Sequence, residues 1–196
     1  MPTIGSRDLV MILVGLGEGD QLSESLGGMT RLQKYLYLLE KEGGVRVEGD
    51  AFHFEPYLAG PYSPKLYDDL EFLENLGLLE SQVTGTATEE EALEVGKLSI
   101  DDLFEDPAVG AGGKQADEHP AFEERKFSLT PKGIAHVQGL LADKDRAPVI
   151  DSVRKMKSRF ANHSLKDLLQ YVYTKYPEMT TASEIKDKVL RRGRSG

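Results

Sequence analysis

Leu66, Leu70 and Leu73 form an apolar stripe that follows Ser63-Pro64 and precedes Gly77. A capping serine, a proline at the first helical position and a left-handed stop together predict a helix over 64–76. The apolar residues of 78–83 then leave that helix as a short strand. Downstream, Phe127 and Leu129 alternate with Lys126 and Ser128 as a half-buried strand does, and Thr130 with Pro131 caps and opens a further helix. Helix, strand, strand and helix in this order fit the two halves of a winged helix, with the chain between the strands as the wing.

The same reading extends along the rest of the chain. A first helix is expected over 6–14, capped by Ser6, with Asp8 near the positive end of its dipole. Thr30-Arg31-Leu32-Gln33 matches a capping box, and Leu32, Tyr35, Leu36 and Leu39 continue at helical spacing until Gly43-Gly44. Phe52, Phe54 and Pro56 face one way and His53 and Glu55 the other, which suggests a short edge strand, and Pro61 stiffens the loop 57–62. Helices are predicted at 149–160, 165–176 and 182–192, the last two separated by Pro177 and opened by the capping pairs Ser164 with Asp167 and Thr181 with Glu184. The class is α+β, mainly helical: a winged helix-turn-helix over 1–145 with an acidic insertion in the wing, then a basic helical extension over 146–196. There is no internal repeat.

Composition narrows the function classes. Cysteine is absent, which removes disulfides, thiolate metal sites and cysteine nucleophiles and fits a reducing compartment. The apolar run 9–16 is far too short to span a membrane, and the expected location is the cytoplasm. The formal charge of -9 is unevenly spread. Residues 146–196 hold 12 Lys and Arg against 5 Asp and Glu, whereas 13 acidic residues crowd between Glu80 and Lys126. The insertion at 84–122, with Glu89-Glu90-Glu91 and Gly110-Ala111-Gly112-Gly113, holds little apolar surface to offset its ordering entropy.

Catalytic signatures are wanting. His53, His119, His136 and His163 lack the paired spacing of a zinc motif, Gly15-Leu16-Gly17-Glu18-Gly19 has no phosphate-loop Lys-Ser or Lys-Thr, and no Gly-x-Ser-x-Gly occurs. A non-enzymatic protein without cofactor or metal is expected. Two surfaces are candidates for binding. The helix 64–76 is a poor reader of DNA, because Lys65 stands against Asp68, Asp69, Glu71 and Glu74. The basic tail offers Arg154, Lys155, Lys157, Arg159, Arg191 and Arg192 to phosphates, although their spacing does not gather them on one stripe. Leu165, Leu168, Leu169, Val172 and Tyr176 make a ridge suited to docking or to a homodimer. Near the turn 57–64, Tyr57, Tyr62, Lys65 and Tyr67 are candidates for a protein partner, since tyrosines on a stiff turn lose little rotamer entropy on binding. The alternative is that Tyr57 and Tyr62 simply close the core beneath the helix.

Thr30 to Leu39, Phe52-His53-Phe54-Glu55-Pro56-Tyr57, Gly60-Pro61-Tyr62-Ser63-Pro64, Leu76-Gly77-Leu78, Phe127-Ser128-Leu129-Thr130 and the ending at 164–177 resemble the YwgA-type proteins of bacteria and archaea. More distantly they are similar to the Panacea domain of SocA-like antitoxins. The resemblance covers most of the chain apart from the acidic insertion. It implies a winged-helix regulator that binds DNA, as a transcriptional regulator or antitoxin, or an adaptor that neutralises a toxin or docks a protein partner without touching DNA.

Overall fold

The computed structural model describes residues 3–17, 21–22, 25–49, 52–57, 59–86, 123–183 and 185–190. Nearly all of the predicted acidic insertion, together with Arg191 and Arg192, therefore lies outside the described residues. The architecture is α+β, with small sheets set among helices. Beyond its polar first turn, helix α1 (Ser6–Gly15) is apolar on every side, with Leu9 through Gly15 all buried, and a helix of that kind belongs at the centre of a core. Strand β1 (Thr3–Ile4) precedes it and pairs in parallel with β3 (Arg46–Val47), while β2 (Ser25–Gly27) follows it and leads into α2 (Met29–Lys41). After β3 come the hairpin β4 (Glu55–Tyr57) and β5 (Gly60–Tyr62), then α3 (Lys65–Asn75), β6 (Leu79–Thr86) and β7 (Glu123–Leu129). Helices α4 (Pro131–Ala142), α5 (Ala147–Phe160), α6 (Leu165–Lys175) and the short α7 (Lys186–Leu190) follow among the described residues.

One three-stranded sheet runs in the order β2-β7-β6, antiparallel throughout, with Leu26 opposite Phe127 and Leu79 opposite Leu129. Its buried residues Leu26, Leu79, Phe127 and Leu129 join a single apolar cluster that also takes in Val149, Ile150, Val153, Phe160, Leu168, Leu169 and Val172. The core thus crosses position 145, where the charge changes sign, without interruption. The predicted docking ridge of α6 is largely consumed by this core: Leu168, Leu169 and Val172 are buried in the chain's own interior and cannot serve a second subunit. No helix among the described residues is long and apolar enough to cross a membrane.

Three predicted caps are displaced. Helix α1 is preceded by Gly5 rather than Ser6, and α2 begins at Met29, one residue ahead of Thr30, because Gly28 at φ +83° turns the chain out of β2 while its N–H donates to the Arg125 carbonyl. Ser63 caps nothing. Its hydroxyl donates to the Phe52 carbonyl, and Pro64 occupies the position before α3. Phe52 and Phe54 lie ahead of the strand rather than in it; Phe52 is fully buried. The predicted helix over 182–192 is described only as α7, and Glu184 of its expected cap lies outside the described residues. By contrast, the Ser164–Asp167 capping box is formed, and Thr130 accepts from the Gly133 N–H ahead of Pro131.

The halves at 63–83 and 125–142 do pack as neighbours. Gly77, at φ +64°, ends α3, and the Leu78 N–H reaches back to the Leu73 carbonyl at 3.0 Å. The carbonyls left open at that end are then taken by the start of α4. Thr130 Oγ1 donates to Gly77 O at 2.6 Å, the Thr130 N–H to Leu78 O at 3.1 Å and Lys132 Nζ to Leu76 O at 2.8 Å.

At the far end of α2, Glu42 ties the C-terminal helices to the body. Its carboxylate accepts from Arg159 at 2.8 Å and from the hydroxyls of Tyr171 and Tyr176 at 2.9 Å, and pairs with Lys175 at 3.1 Å. Burial alone pushes its pKa up, but the donors of Lys175, Tyr171, Tyr176 and Arg159 outweigh that and leave it below the ordinary glutamate value. A depressed folded pKa contributes stability that is complete above the unfolded value and is lost as pH falls through the folded one. Glu42→Gln is therefore expected to cost about 2 kcal/mol at pH 7, discounted because Arg159 and Lys175 are half exposed. Urea unfolding from pH 7 down to pH 3 should show the mutant and wild type converging; a constant gap would refute the linkage.

Candidate binding site

Tyr57 and Tyr62 come together because the hairpin β4–β5 sets Tyr57 opposite Gly60 and Glu55 opposite Tyr62. Gly60 must be glycine for two reasons. Its φ is +85°, and a Cβ there would lie 2.9 Å from Tyr173 Cε1. The rings of Tyr57 and Tyr62 lie 4.6 Å apart at 31°, and Tyr67, from the first turns of α3, lies 5.8 Å beyond Tyr62. The start of α3 is fixed to α2 by a reciprocal pair: the Ser63 N–H donates to Gln33 Oε1 at 2.9 Å and Gln33 Nε2 donates to Ser63 O at 3.3 Å. Hairpin, α2 and α3 thereby line an open cavity of about 410 Å³, bordered by the three tyrosines, Gln33, Lys34 and Asp68 among others.

Lys34 is the unusual group in this wall. It is 2% exposed, and its ammonium donates to the Pro61 carbonyl at 2.9 Å. Burial pushes its pKa down from 10.5 to about 7. The Tyr67 phenol is pushed up to about 12, chiefly by desolvation and next by the Tyr62 phenol, although a hydrogen bond from the Gln33 side chain opposes this.

Of the residues singled out from sequence, Tyr57, Tyr62 and Tyr67 share the cavity and Lys65 does not. Lys65 Nζ lies 3.3 Å from the buried carboxylate of Asp69, which also receives Arg7 Nε at 2.9 Å. The predicted phosphate contacts are dispersed. Arg154 pairs with Asp151, Lys157 donates to the last carbonyls of α1 at Leu13 and Leu16, and Arg159 is committed to Glu42 and Tyr171. Lys155 remains exposed on α5. On α3, the exposed residues are Tyr67, Asp68, Glu71, Phe72, Asn75 and Leu76, with Tyr67, Phe72 and Leu76 at 41%, 41% and 44%. None of these is a cation, but the half-exposed Arg7 guanidinium of α1 lies 3.6 Å over the centre of the Phe72 ring.

The sequence reading does not single out Lys34, yet a signal was present. Tyr37 and Leu38 lie three and four residues on, so the face of α2 that carries Lys34 is apolar as well, and every residue from Leu32 to Leu39 is buried. Among the described residues, no group of three or more His, Asp or Glu side chains is placed to hold a metal ion. The sequence matches no protein-family model and no curated protein.

Proposed function

We propose that the protein is a non-enzymatic regulatory module of winged-helix type that works by gripping a protein partner at the tyrosine cavity and the adjoining face of α3. The single observation that carries this is the combination of a preformed aromatic cavity with a contiguous exposed face holding Tyr67, Phe72 and Leu76 beside Asp68 and Glu71. Rigid tyrosines at the edge of a pocket are the usual anchors of an interface, and Asp68 and Glu71, with Arg7 stacked on Phe72 as the one facing cation, favour a partner with basic groups. The order α1-β2-α2-α3-β6-β7, interrupted between α2 and α3 by β3, β4 and β5, with β2 paired to the edge of β7 that β6 leaves open, is what supports the winged-helix assignment. A toxin-neutralising or adaptor role, as in Panacea domains, fits this chemistry, and kinship with YwgA-type proteins belongs to the same proposal.

DNA binding is the second reading. It draws on the excess of 12 basic over 5 acidic residues in 146–196, and it has to work around α3, whose outward face would bring Asp68 and Glu71 to phosphate. The two readings separate in one experiment. The tagged full chain, a Tyr62→Ala/Tyr67→Ala variant and a full-length Lys155→Glu/Lys166→Glu variant are compared for partner recovery from native lysate and for salt-dependent retention on duplex DNA. Partner capture is expected to fall more than about tenfold in the tyrosine variant with an unchanged melting temperature. Recovery of bare protein alone, with DNA retention intact in the tyrosine variant and lost in the charge-reversal variant, would replace partner capture with DNA binding.

A further inference from the structure

We infer that the cavity beside Lys34 is a carboxylate site, in which the Lys34 ammonium receives the carboxylate and the rings of Tyr57, Tyr62 and Tyr67 hold the apolar skeleton that carries it. This deepens the partner-capture reading by naming the chemistry of what enters the cavity.

An ammonium has three N–H donors, and Lys34 uses one, toward Pro61 O. Among the described residues no carboxylate lies within ion-pair distance of it, and burial is the one cause acting on its protonation. Burying a cation with no counter-charge is costly, and a neutral amide at this position could serve the Pro61 carbonyl without that cost. A group that is expensive in the empty protein and adjoins a cavity of about 410 Å³ is explained by what the cavity receives. The other polar groups narrow the choice. The Gln33 amide is engaged by Ser63 and Tyr67, which leaves the Lys34 ammonium as the one cationic donor in the cavity lining, beside the hydroxyls of Thr30 and the tyrosines. The skeleton of the ligand meets rings already spaced at 4.6 and 5.8 Å, a surface suited to aromatic or aliphatic carbon.

The groups around Lys34 set the pH dependence. Tyr67 and Asp68 face the cavity from α3, Tyr57 from β4 and Tyr62 from β5, while the Tyr173 ring of α6 lies behind Gly60. The phenols of Tyr67 and Tyr173 are both pushed up to about 12 and contribute nothing between pH 6 and 8.5. Asp68 opposes an anion, but it is exposed and its repulsion is screened by water. Carboxylate binding must therefore take up a proton on Lys34 and weaken as pH rises through 7.

The test uses the full chain with lysine labelled at Cε, titrated with 3-phenylpropionate, its amide, and an N-acetylated peptide ending in Phe with a free or an amidated C-terminus. Acid forms are expected to raise the Lys34 titration midpoint by about one unit or more, and to bind about tenfold more weakly at pH 8.5 than at pH 6. Lys34→Met should lose at least about tenfold in affinity while its circular dichroism and melting remain those of a folded protein. Binding of the free acid points to a small-molecule source and binding of the acid peptide alone to a protein source; both support the site. Equal binding of acid and amide, or no movement of the Lys34 resonance with any of the four, overturns it. Acid binding that persists while the tyrosine variant still captures its partner from lysate would instead sink the partner reading and leave the site standing.

Discussion

Lys34→Met is expected to stabilise the folded protein by about 3 kcal/mol at pH 6 and to change its stability by close to zero at pH 10. The folded pKa of Lys34 is about 7 against 10.5 unfolded. Below pH 7 both states hold the proton, so the full penalty of burying the charge, on the order of 4 kcal/mol, bears on the fold. Between pH 7 and 10.5 the unfolded chain binds more protons than the folded one, and stability rises with pH by up to about 1.4 kcal/mol per unit. Methionine fills a similar volume without the charge, at the cost of the hydrogen bond to Pro61 O, worth roughly 1 kcal/mol. The gain at pH 6 is the difference. Urea unfolding of both proteins at pH 6, 8 and 10 checks this: wild type should climb and the variant should stay nearly flat over the Lys34 range. Parallel curves would mean that Lys34 is solvated, and the carboxylate site would lose its physical basis. A stabilising substitution in a cavity wall marks a group that the empty fold does not need for its own stability.

Local chemistry made much of the fold legible. Gly77, Thr130-Pro131 and Ser164 with Asp167 act where their backbone preferences place them, because each signal involves only residues within one turn. Ser63 and Thr30 carried equally good local signals and were overridden by distant partners: Ser63 donates to Phe52, and the start of α2 is set by Gly28 holding the Arg125 carbonyl. The tyrosines of the cavity were foreseeable as a group, since a stiff turn of eight residues keeps them close. What they border was not, because the opposite wall comes from α2, more than twenty residues earlier. Charge counting misjudged the tail for a similar reason. Lys157 and Arg159 are basic in sequence, but their partners, the carbonyls of Leu13 and Leu16 and the carboxylate of Glu42, lie over a hundred residues away.

Gly133→Ala is expected to cost about 3 kcal/mol and to lower the melting temperature by roughly 6 to 12 °C. A Cβ at Gly133 would sit 1.9 Å from the carbonyl oxygen of Leu78 and 3.0 Å from its carbon, so backbone would have to move against backbone. Two other glycines bracket the effect. At Gly15 the nearest atoms, Leu129 Cδ1 at 2.1 Å and Cγ at 2.9 Å, belong to a side chain rather than to backbone, and at Gly139, exposed on the same helix as Gly133, a Cβ meets nothing within 4 Å. Gly139→Ala should therefore gain up to about 1 kcal/mol through helix propensity alone. The damage at Gly133 has a defined geometry. Pushing α4 away draws Thr130 and Lys132 off the carbonyls of Leu76, Gly77 and Leu78 and loosens the C-terminal end of α3, which carries Phe72 and Leu76. The N-terminal end, held by Ser63 and Gln33 beside the tyrosines, is anchored independently. Under conditions where the variant is still folded, partner capture through the α3 face should weaken while 3-phenylpropionate still shifts the Lys34 resonance. Loss of both together would show that α3 moves as one rigid piece, making the cavity and the helix face a single site.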